Sequence, residues 1–141
     1  RATSMGADLG IHTPHEDVMK SVMAFTDKRG VDVVIENVGE AVWGDAMKSL
    51  VRGGRLVTCG ATSGDQPPAD LRRIFIRQLQ ILGSTLGNLQ EFKDLLVFCE
   101  QHQLRPVIDR VYPMDQVHDA LDVMSRAEQF GKLALDLRSH A

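Results

Sequence analysis

The sequence predicts an α/β fold built on an open parallel sheet. Three apolar segments of strand length each end in a turn of small residues, and stretches of helical periodicity separate them. These segments begin at Val31, Arg55 and Leu79. Strands that alternate with helices are typical of βαβ units, which pair strands in parallel. We therefore expect the three strands to be parallel neighbours, joined by right-handed crossovers and covered by helices on both faces.

Helix start and stop signals lie between these strands. The first helix is expected to start at a capping box, with Thr13 as N-cap, Pro14 at the first helical position and Glu16 three residues on. Helical spacing over Glu40 to Val51 predicts a second helix, which Gly53-Gly54 would end before the next strand. Further helices are expected to begin at Asp70, Asn88 and Asp115, and further strands over Val107 to Tyr112 and Lys132 to Leu137.

Composition excludes several classes of protein. The chain has 141 residues, a formal net charge of −3 and 25% charged residues, which is globular and argues against nucleic acid or an anionic membrane as partner. No apolar run is long enough to cross a bilayer, and the first residues do not resemble a signal peptide.

Cys59 and Cys99 are too far apart for a disulfide framework or a zinc knuckle, so we expect reduced thiols in a cytoplasmic protein. The first residue, Arg1, is consistent with a chain cut from a longer one.

The strand ends are the candidate binding region, because open parallel sheets bind ligands outside the carboxyl ends of their strands. Gly39 and Gly60 would let a flat ring and a ribose approach the backbone. The alternative is that these glycines only end strands. No G-x-G-x-x-G phosphate loop occurs in the sequence, and the histidines do not cluster with cysteine or acid at metal-ligand spacing. Arg72, Arg73 and Arg77 are either an anion patch or a solvated or inter-subunit helix face.

The ordered set of motifs resembles the medium-chain dehydrogenase/reductase family, in its zinc-type alcohol dehydrogenase and quinone oxidoreductase branches. The resemblance runs from Met5-Gly6-Ala7-Asp8 to Leu137, through Gly30 to Val34, Gly53 to Val57, Gly83 to Thr85, Pro106 to Ile108 and Gly131-Lys132. It implies a partial Rossmann-type doubly wound parallel sheet that lacks its first two strands and keeps the third to sixth. Residues 1–114 would be the C-terminal portion of a dinucleotide-binding domain. Residues 115–141 would be a terminal helix and strand that in the family return toward the catalytic domain.

The resemblance also implies a function. The chain would be a fragment of an NAD(P)-dependent oxidoreductase, inactive alone, that supplies the nicotinamide-side half of the cofactor site and no catalytic residue. The parent would act on a small alcohol, carbonyl, quinone or enoyl substrate. Carried over to this sequence, Asn37, Val38 and Gly39 lie beside the cofactor ribose, and Cys59, Gly60 and Ala61 lie against the nicotinamide ribose. Ser84, Thr85 and Leu86 hold the carboxamide through main-chain groups, and Lys132 lies near the pyrophosphate, where the alternative is a solvated lysine.

Three further expectations follow from the resemblance. Zinc could enter the parent enzyme only through an N-terminal domain that this sequence does not contain, and the choice between NAD and NADP stays open. A homo-oligomer is expected through the strand at Gln80 to Ser84. The alternative function is a non-catalytic nucleotide-binding or interaction module from a truncated reading frame, and the sequence upstream of Arg1 would decide between the two.

Overall fold

The computed structural model describes residues 1–13 and 15–138. The chain divides into two compact units, one of Ala2–Leu86 and one of Gly87–Ala141 together with Arg1. The first unit holds α1 (Val18–Phe25), β1 (Val31–Glu36), α2 (Glu40–Ser49), β2 (Leu50–Thr58), α3 (Leu71–Arg77) and β3 (Gln80–Gly83). The second holds α4 (Leu89–Gln101), β4 (Ile108–Pro113), α5 (Val117–Ser125) and β5 (Lys132–Asp136). Short 3₁₀ turns lie at Thr3–Met5 and Met114–Gln116.

The three-stranded sheet of the first unit has the predicted order and direction. Its strands pair as β1-β2-β3, and both pairs are parallel. Val34 lies opposite Leu56, which in turn lies opposite Ile81. Because all three strands run the same way, their carboxyl ends lie at one edge of the sheet. The prediction of three parallel neighbours is confirmed.

The core of the first unit lies on one face of this sheet. Its buried members are Met47, Leu50, Leu56 and Leu79, with Val31, Val34, Trp43, Ala46, Ile74 and Ile81 packed around them. Helices α2 and α3 therefore cover the face that carries Leu56. On the opposite face Val33, Ile35 and Leu82 are 43%, 72% and 44% exposed. Helices on both faces were expected, but crossovers of one hand between consecutive neighbouring strands place their helices on the same side, so this unit carries one helical layer.

Helix α1 begins later than the capping box predicted. Its N-cap is Asp17, whose side chain accepts a hydrogen bond of 2.9 Å from the backbone N–H of Lys20. Glu16 accepts instead from the N–H of His12, at 2.9 Å, within a turn. Thr13 is therefore not the cap, because Asp17 stands directly before the apolar face of the helix and competes successfully for that role. Pro14 lies outside the described residues.

Gly53-Gly54 does not end α2. The helix ends at Ser49, and β2 begins at Leu50, whose ψ of 141° is already extended. The pairing with β1 moves from Val31 opposite Leu50 to Val33 opposite Arg55, so residues 51–54 form an irregularity within the strand. Gly53, at φ +74°, supplies the left-handed conformation that this bulge needs. Because Leu50 is buried, β2 already begins at this residue. Gly53-Gly54 therefore lies in the bulge within the strand and not at the end of the helix.

The second unit contains a βαβ arrangement in which β4 and β5 pair in parallel. The N-cap of α4 at Asn88 is confirmed, with a complete capping box to Glu91. The predicted cap at Asp115 is wrong, because this residue lies inside the 3₁₀ turn and α5 begins at Val117 without a side-chain cap. The unit boundary near 86/87 differs from the functional division at 114/115, which stays a prediction.

The described residues before α1, which are 1–13 and 15–17, contain no strand. The third strand expected from the family order 3-2-1-4-5-6 is therefore not formed there. In that order the third strand pairs only with the second, and the sheets of the described residues offer no such partner for its backbone groups. Among the described residues no helix is both long and apolar enough to cross a membrane.

Candidate functional site

The three turns at the strand ends lie along one edge of the sheet. Asn37–Gly39 follows β1, Cys59–Ala61 follows β2 and Ser84–Leu86 follows β3. An open cleft of about 420 Å³ lies between the last two turns; its lining residues are Thr58, Cys59, Gly60, Ala61, Gly83, Ser84 and Thr85. The N–H of Ser84 donates to the carbonyl oxygen of Thr58 at 2.9 Å and so fixes the start of the third turn. The structure thus brings two of the predicted turns to a single cleft, which we call the rim cleft.

The first turn is joined to the loop at residues 60–64 through the backbone. The carbonyl oxygen of Val38 accepts from both the N–H and the hydroxyl of Ser63, at 2.7 and 2.8 Å. The N–H of Glu40 donates to the carbonyl oxygen of Gly64 at 3.1 Å. This set of bonds holds the first turn beside the loop that follows the second, but Asn37–Gly39 does not line the rim cleft.

Close packing between the turns explains why glycine stands at two of these positions. Gly39 has a φ of +98°, and a Cβ there would collide with the carbonyl oxygen of Gly64. A Cβ on Gly60 would lie 2.6 Å from the carbonyl oxygen of Asn37. A Cβ on Gly83 would meet nothing within 4 Å. The first two glycines are therefore required by the protein backbone itself, and the open space of the cleft is at Gly83.

Glu36 is a residue of this region that the sequence reasoning did not single out. It ends β1, and only 4% of its surface is exposed. Its Oε1 accepts from the N–H of Gly39 at 2.6 Å and from the N–H of Val38, and its Oε2 lies 3.4 Å from the hydroxyl of Thr58. A carboxylate at the end of an apolar strand, directly before an Asn-Val-Gly turn, is the signal that could have identified it, because carboxylates are rarely buried without partners.

A smaller cavity of about 170 Å³ lies beside Glu36. Its lining includes Gly39, Trp43, Thr58 and Gly60. The indole N–H of Trp43 is buried and has no hydrogen-bond partner among the described residues. Since the chain has a single tryptophan, the signal of this N–H is a natural reporter of changes behind the turns.

The remaining predicted site residues and the two cysteines are distributed over both units. Leu86 is 93% exposed at the end of the third turn. Lys132 is exposed at the start of β5 in the second unit, where its N–H donates to the carbonyl oxygen of Val107 at 2.8 Å. Cys59 is exposed and Cys99 is half-buried, and both are free thiols. The turn residues thus lie together in the first unit, and Lys132 is described within the other.

The arginines of α3 are partly committed to the fold. Arg73 pairs with Asp70 at 3.1 Å, and a terminal guanidinium nitrogen of Arg77 donates to the carbonyl oxygen of Leu50 at 2.9 Å. These two charges therefore serve local structure, which weakens the anion-patch interpretation.

The side chains that the structure describes do not form a zinc centre. Across residues 1–13 and 15–138 no group of three or more His, Cys, Asp or Glu side chains could hold a metal ion. His12 and His15 stand with ring centroids 4.8 Å apart, and no third ligand joins them within those ranges. Zinc sites need three or four such ligands, and the described residues do not bring such a set together.

The fold and the strand-end cleft together define an α/β protein with a partial Rossmann-type sheet. The chain belongs to the zinc-binding dehydrogenase family, whose family model matches residues 5–135. It is 29% identical over 135 residues to an NAD-dependent alcohol dehydrogenase of Sulfolobus acidocaldarius, a match that covers 95% of this chain and 38% of the relative. The resemblance to medium-chain dehydrogenases is confirmed.

Solved structures give the same result. A crystal structure of an NAD-dependent alcohol dehydrogenase superposes with a TM-score of 0.81 at 31% identity, covering 96% of this chain and 40% of that one. A 2-octenoyl-CoA carboxylase reductase in complex with NADP and 2-octenoyl-CoA superposes with a TM-score of 0.79 at 25% identity, covering 95% of this chain and 34% of that one. The chain therefore spans between about a third and two fifths of the length of these relatives.

Proposed function

We propose that this chain supplies the nicotinamide-side half of the cofactor site in an NAD(P)-dependent oxidoreductase of the zinc-type alcohol dehydrogenase and quinone oxidoreductase kind. The observation that carries the proposal is the rim cleft, formed where β2 and β3 end side by side with Gly83 open toward it. This is the edge at which doubly wound sheets bind ligands. The relatives named as NAD-dependent alcohol dehydrogenases support it.

The residues of the turns would bind and orient the cofactor. Ser84, Thr85 and Leu86 would hold the carboxamide through main-chain groups other than the N–H of Ser84, which is donated to the carbonyl oxygen of Thr58. Cys59, Gly60 and Ala61 would contact the nicotinamide ribose, with Asn37, Val38 and Gly39 beside it and Lys132 near the pyrophosphate. The bound nicotinamide ring supplies or accepts a hydride, and the protein contributes position and orientation.

The parent enzyme is proposed to act on a small alcohol, carbonyl, quinone or enoyl substrate. Either NAD or NADP is compatible with the relatives, since one is named NAD-dependent and another was solved with NADP. Zinc, if used, would come through the N-terminal domain that this sequence does not contain. This chain alone is proposed to bind cofactor weakly and to turn over no substrate, because it offers no phosphate loop at a helix N-terminus.

Two further properties belong to the proposal. A homo-oligomer would form through Gln80 to Ser84, supported by the position of β3 as the terminal strand of its sheet and by the 44% exposure of Leu82. An unpaired strand edge of this kind is a pairing site for a second chain. A cytoplasmic location is supported by the two free thiols.

An NMR titration of the chain with nicotinamide mononucleotide tests the function. The backbone amide signals of Gly60 and Thr85 should shift at millimolar ligand, while adenosine monophosphate should leave them in place. Gly83→Val should abolish the shifts without unfolding the chain, because a side chain there enters open space at the cleft. Gly44→Val is the matched control, since a Cβ on this α2 residue also meets nothing within 4 Å. Shifts that survive in Gly83→Val would locate the ligand elsewhere.

A further inference from the structure

The Glu36 side chain is buried and accepts hydrogen bonds from the backbone of the first turn. Burying a carboxylate is costly unless its oxygens are hydrogen-bonded, and Glu36 is 4% exposed. Its Oε1 receives two consecutive backbone N–H groups, those of Val38 and Gly39. The Gly39 residue is itself buried, so its N–H would have no water to replace this acceptor. The turn therefore depends on this one carboxylate for its inward-facing donors.

Glu36 also reaches the second turn, through both its side chain and its main chain. Its Oε2 lies 3.4 Å from the hydroxyl oxygen of Thr58, and that hydroxyl lies 3.4 Å from the carbonyl oxygen of Gly60. The main-chain carbonyl of Glu36 accepts from the N–H of Cys59 at 2.9 Å and from its Sγ at 3.6 Å. One residue thus contacts the first turn on one side and the residues around the second turn on the other.

We propose that Glu36 is a positioning residue that sets the spacing between the first two turns and so the position of the second turn, which lines the rim cleft. This inference rests on the proposed function of the rim cleft. The backbone is closely packed at Gly39 and Gly60, because a single added Cβ on either would collide with the backbone that faces it. Two backbones packed this closely keep their separation only if the groups between them are fixed, and the Glu36 carboxylate is the buried charged group at that junction.

Three variants separate positioning from general stability. Glu36→Ala removes the acceptor, and Glu36→Gln keeps one oxygen for the two N–H groups in the same shape. Ser49→Ala is the matched control, because Ser49 is 3% exposed, its hydroxyl donates to the Asp45 carbonyl oxygen at 2.7 Å, and it lies outside the turns. The measurements are the dissociation constant for nicotinamide mononucleotide, amide hydrogen exchange at Val38 and Gly39, and urea unfolding.

Glu36→Ala should raise the dissociation constant and the exchange rates at both amides by about tenfold or more. Glu36→Gln should restore both to within about threefold of the wild-type values, and Ser49→Ala should lower stability with the dissociation constant unchanged. The indole N–H signal of Trp43 should move in Glu36→Ala and stay in place in Ser49→Ala, since Trp43 lines the cavity beside Glu36.

The outcomes that overturn the inference are distinct from those that overturn the function. Binding of nicotinamide mononucleotide that is equally tight after Glu36→Ala overturns the positioning role alone. A wild-type chain that does not bind it overturns the proposed function, and the positioning role with it. If Glu36→Ala fails to fold, Thr58→Val carries the test by removing the hydroxyl between the carboxylate and Gly60; an unchanged dissociation constant in that variant overturns the proposal.

Discussion

Two glycines at the strand ends show how a residue can have both a structural and a binding explanation. Gly39 and Gly60 suggest from the sequence alone that a ligand approaches the backbone there. The structure gives each a second reason, because their missing side chains leave room for the backbone that faces them. A Cβ added to Gly83, by contrast, would have no protein atom within 4 Å, so the space beside this glycine is open to the cleft.

Gly60→Ala should therefore destabilise the chain even in the absence of any cofactor. The added methyl would lie 2.6 Å from the Asn37 carbonyl oxygen, and overpacking of this kind costs about 1–3 kcal/mol. Gly83→Ala is the control and should be neutral or slightly stabilising, since glycine within a strand costs about 0.5–1 kcal/mol relative to alanine. Urea unfolding of the two variants measures the difference. Equal stability of the two variants would show that the first turn shifts to accommodate the added methyl group.

Asp109 is one of the aspartates whose titration should affect stability at low pH. The hydrogen bond from Arg1, at 2.8 Å, is the main cause that lowers the pKa of Asp109 below 3.8. A lowered folded-state pKa means that the contribution is fully present above the unfolded value near 3.8 and is lost as pH falls through the lower, folded value. A carboxyl NMR titration should give a midpoint below 3.8 that rises in Arg1→Ala. A midpoint unchanged by Arg1→Ala would contradict this cause.

At the scale of elements, local capping signals were reliable where the apolar face of the helix followed at once. Asn88 stands directly before Leu89, and the predicted cap is present with its partner Glu91. Thr13 stands several residues before the apolar face that begins at Val18, and Asp17 caps the helix instead. The residue directly before the apolar face of the helix is therefore the one that caps it, in preference to a capping residue several positions earlier.

Asn88→Ala should weaken the start of α4. The Asn88 side-chain oxygen accepts from the N–H groups of Gln90 and Glu91 at 2.9 and 3.0 Å, and loss of such a cap costs about 0.5–2 kcal/mol. Asn88→Gly is the matched control and should cost only a few tenths of a kcal/mol. Amide exchange at Gln90 and Glu91 reports the effect directly. Similar exchange rates in both variants would indicate that packing, and not the Asn88 cap, stabilises the start of α4.

At the scale of the whole molecule, each compact unit leaves apolar side chains exposed. The sheet of the first unit presents Val33, Ile35 and Leu82 on its uncovered face. In the second unit, Phe92, Leu95 and Leu96 of α4 are each more than half exposed, although their spacing is that of a buried helix face. Apolar faces of this kind are typical of a chain that packs against further protein.

The edge of β3 gives the prediction that belongs to this scale. Wild-type chain should be at least dimeric by light scattering, and Leu82→Lys should dissociate it by placing a charge on the edge strand. Ile81→Lys is a poorer test because Ile81 packs against the core. Ile35→Lys is the control, since Ile35 shares the exposed face but lies on β1 at the opposite edge. Dissociation by both variants would indicate face-to-face association, and a monomeric wild-type chain would contradict the oligomer.

The sequence by itself determined the alternation of strands and helices, the parallel order of β1 to β3 and the edge at which their turns meet. These features follow from apolar periodicity, turn residues and the geometry of βαβ connections. Each of these signals depends on residues that are close together in the sequence. Only the tertiary structure decided which face the helices cover, where β2 begins and why Glu36 is buried. Those features depend on contacts between segments distant in the chain, such as Glu36 with Thr58 and Gly60 with Asn37. Local sequence patterns do not predict such contacts.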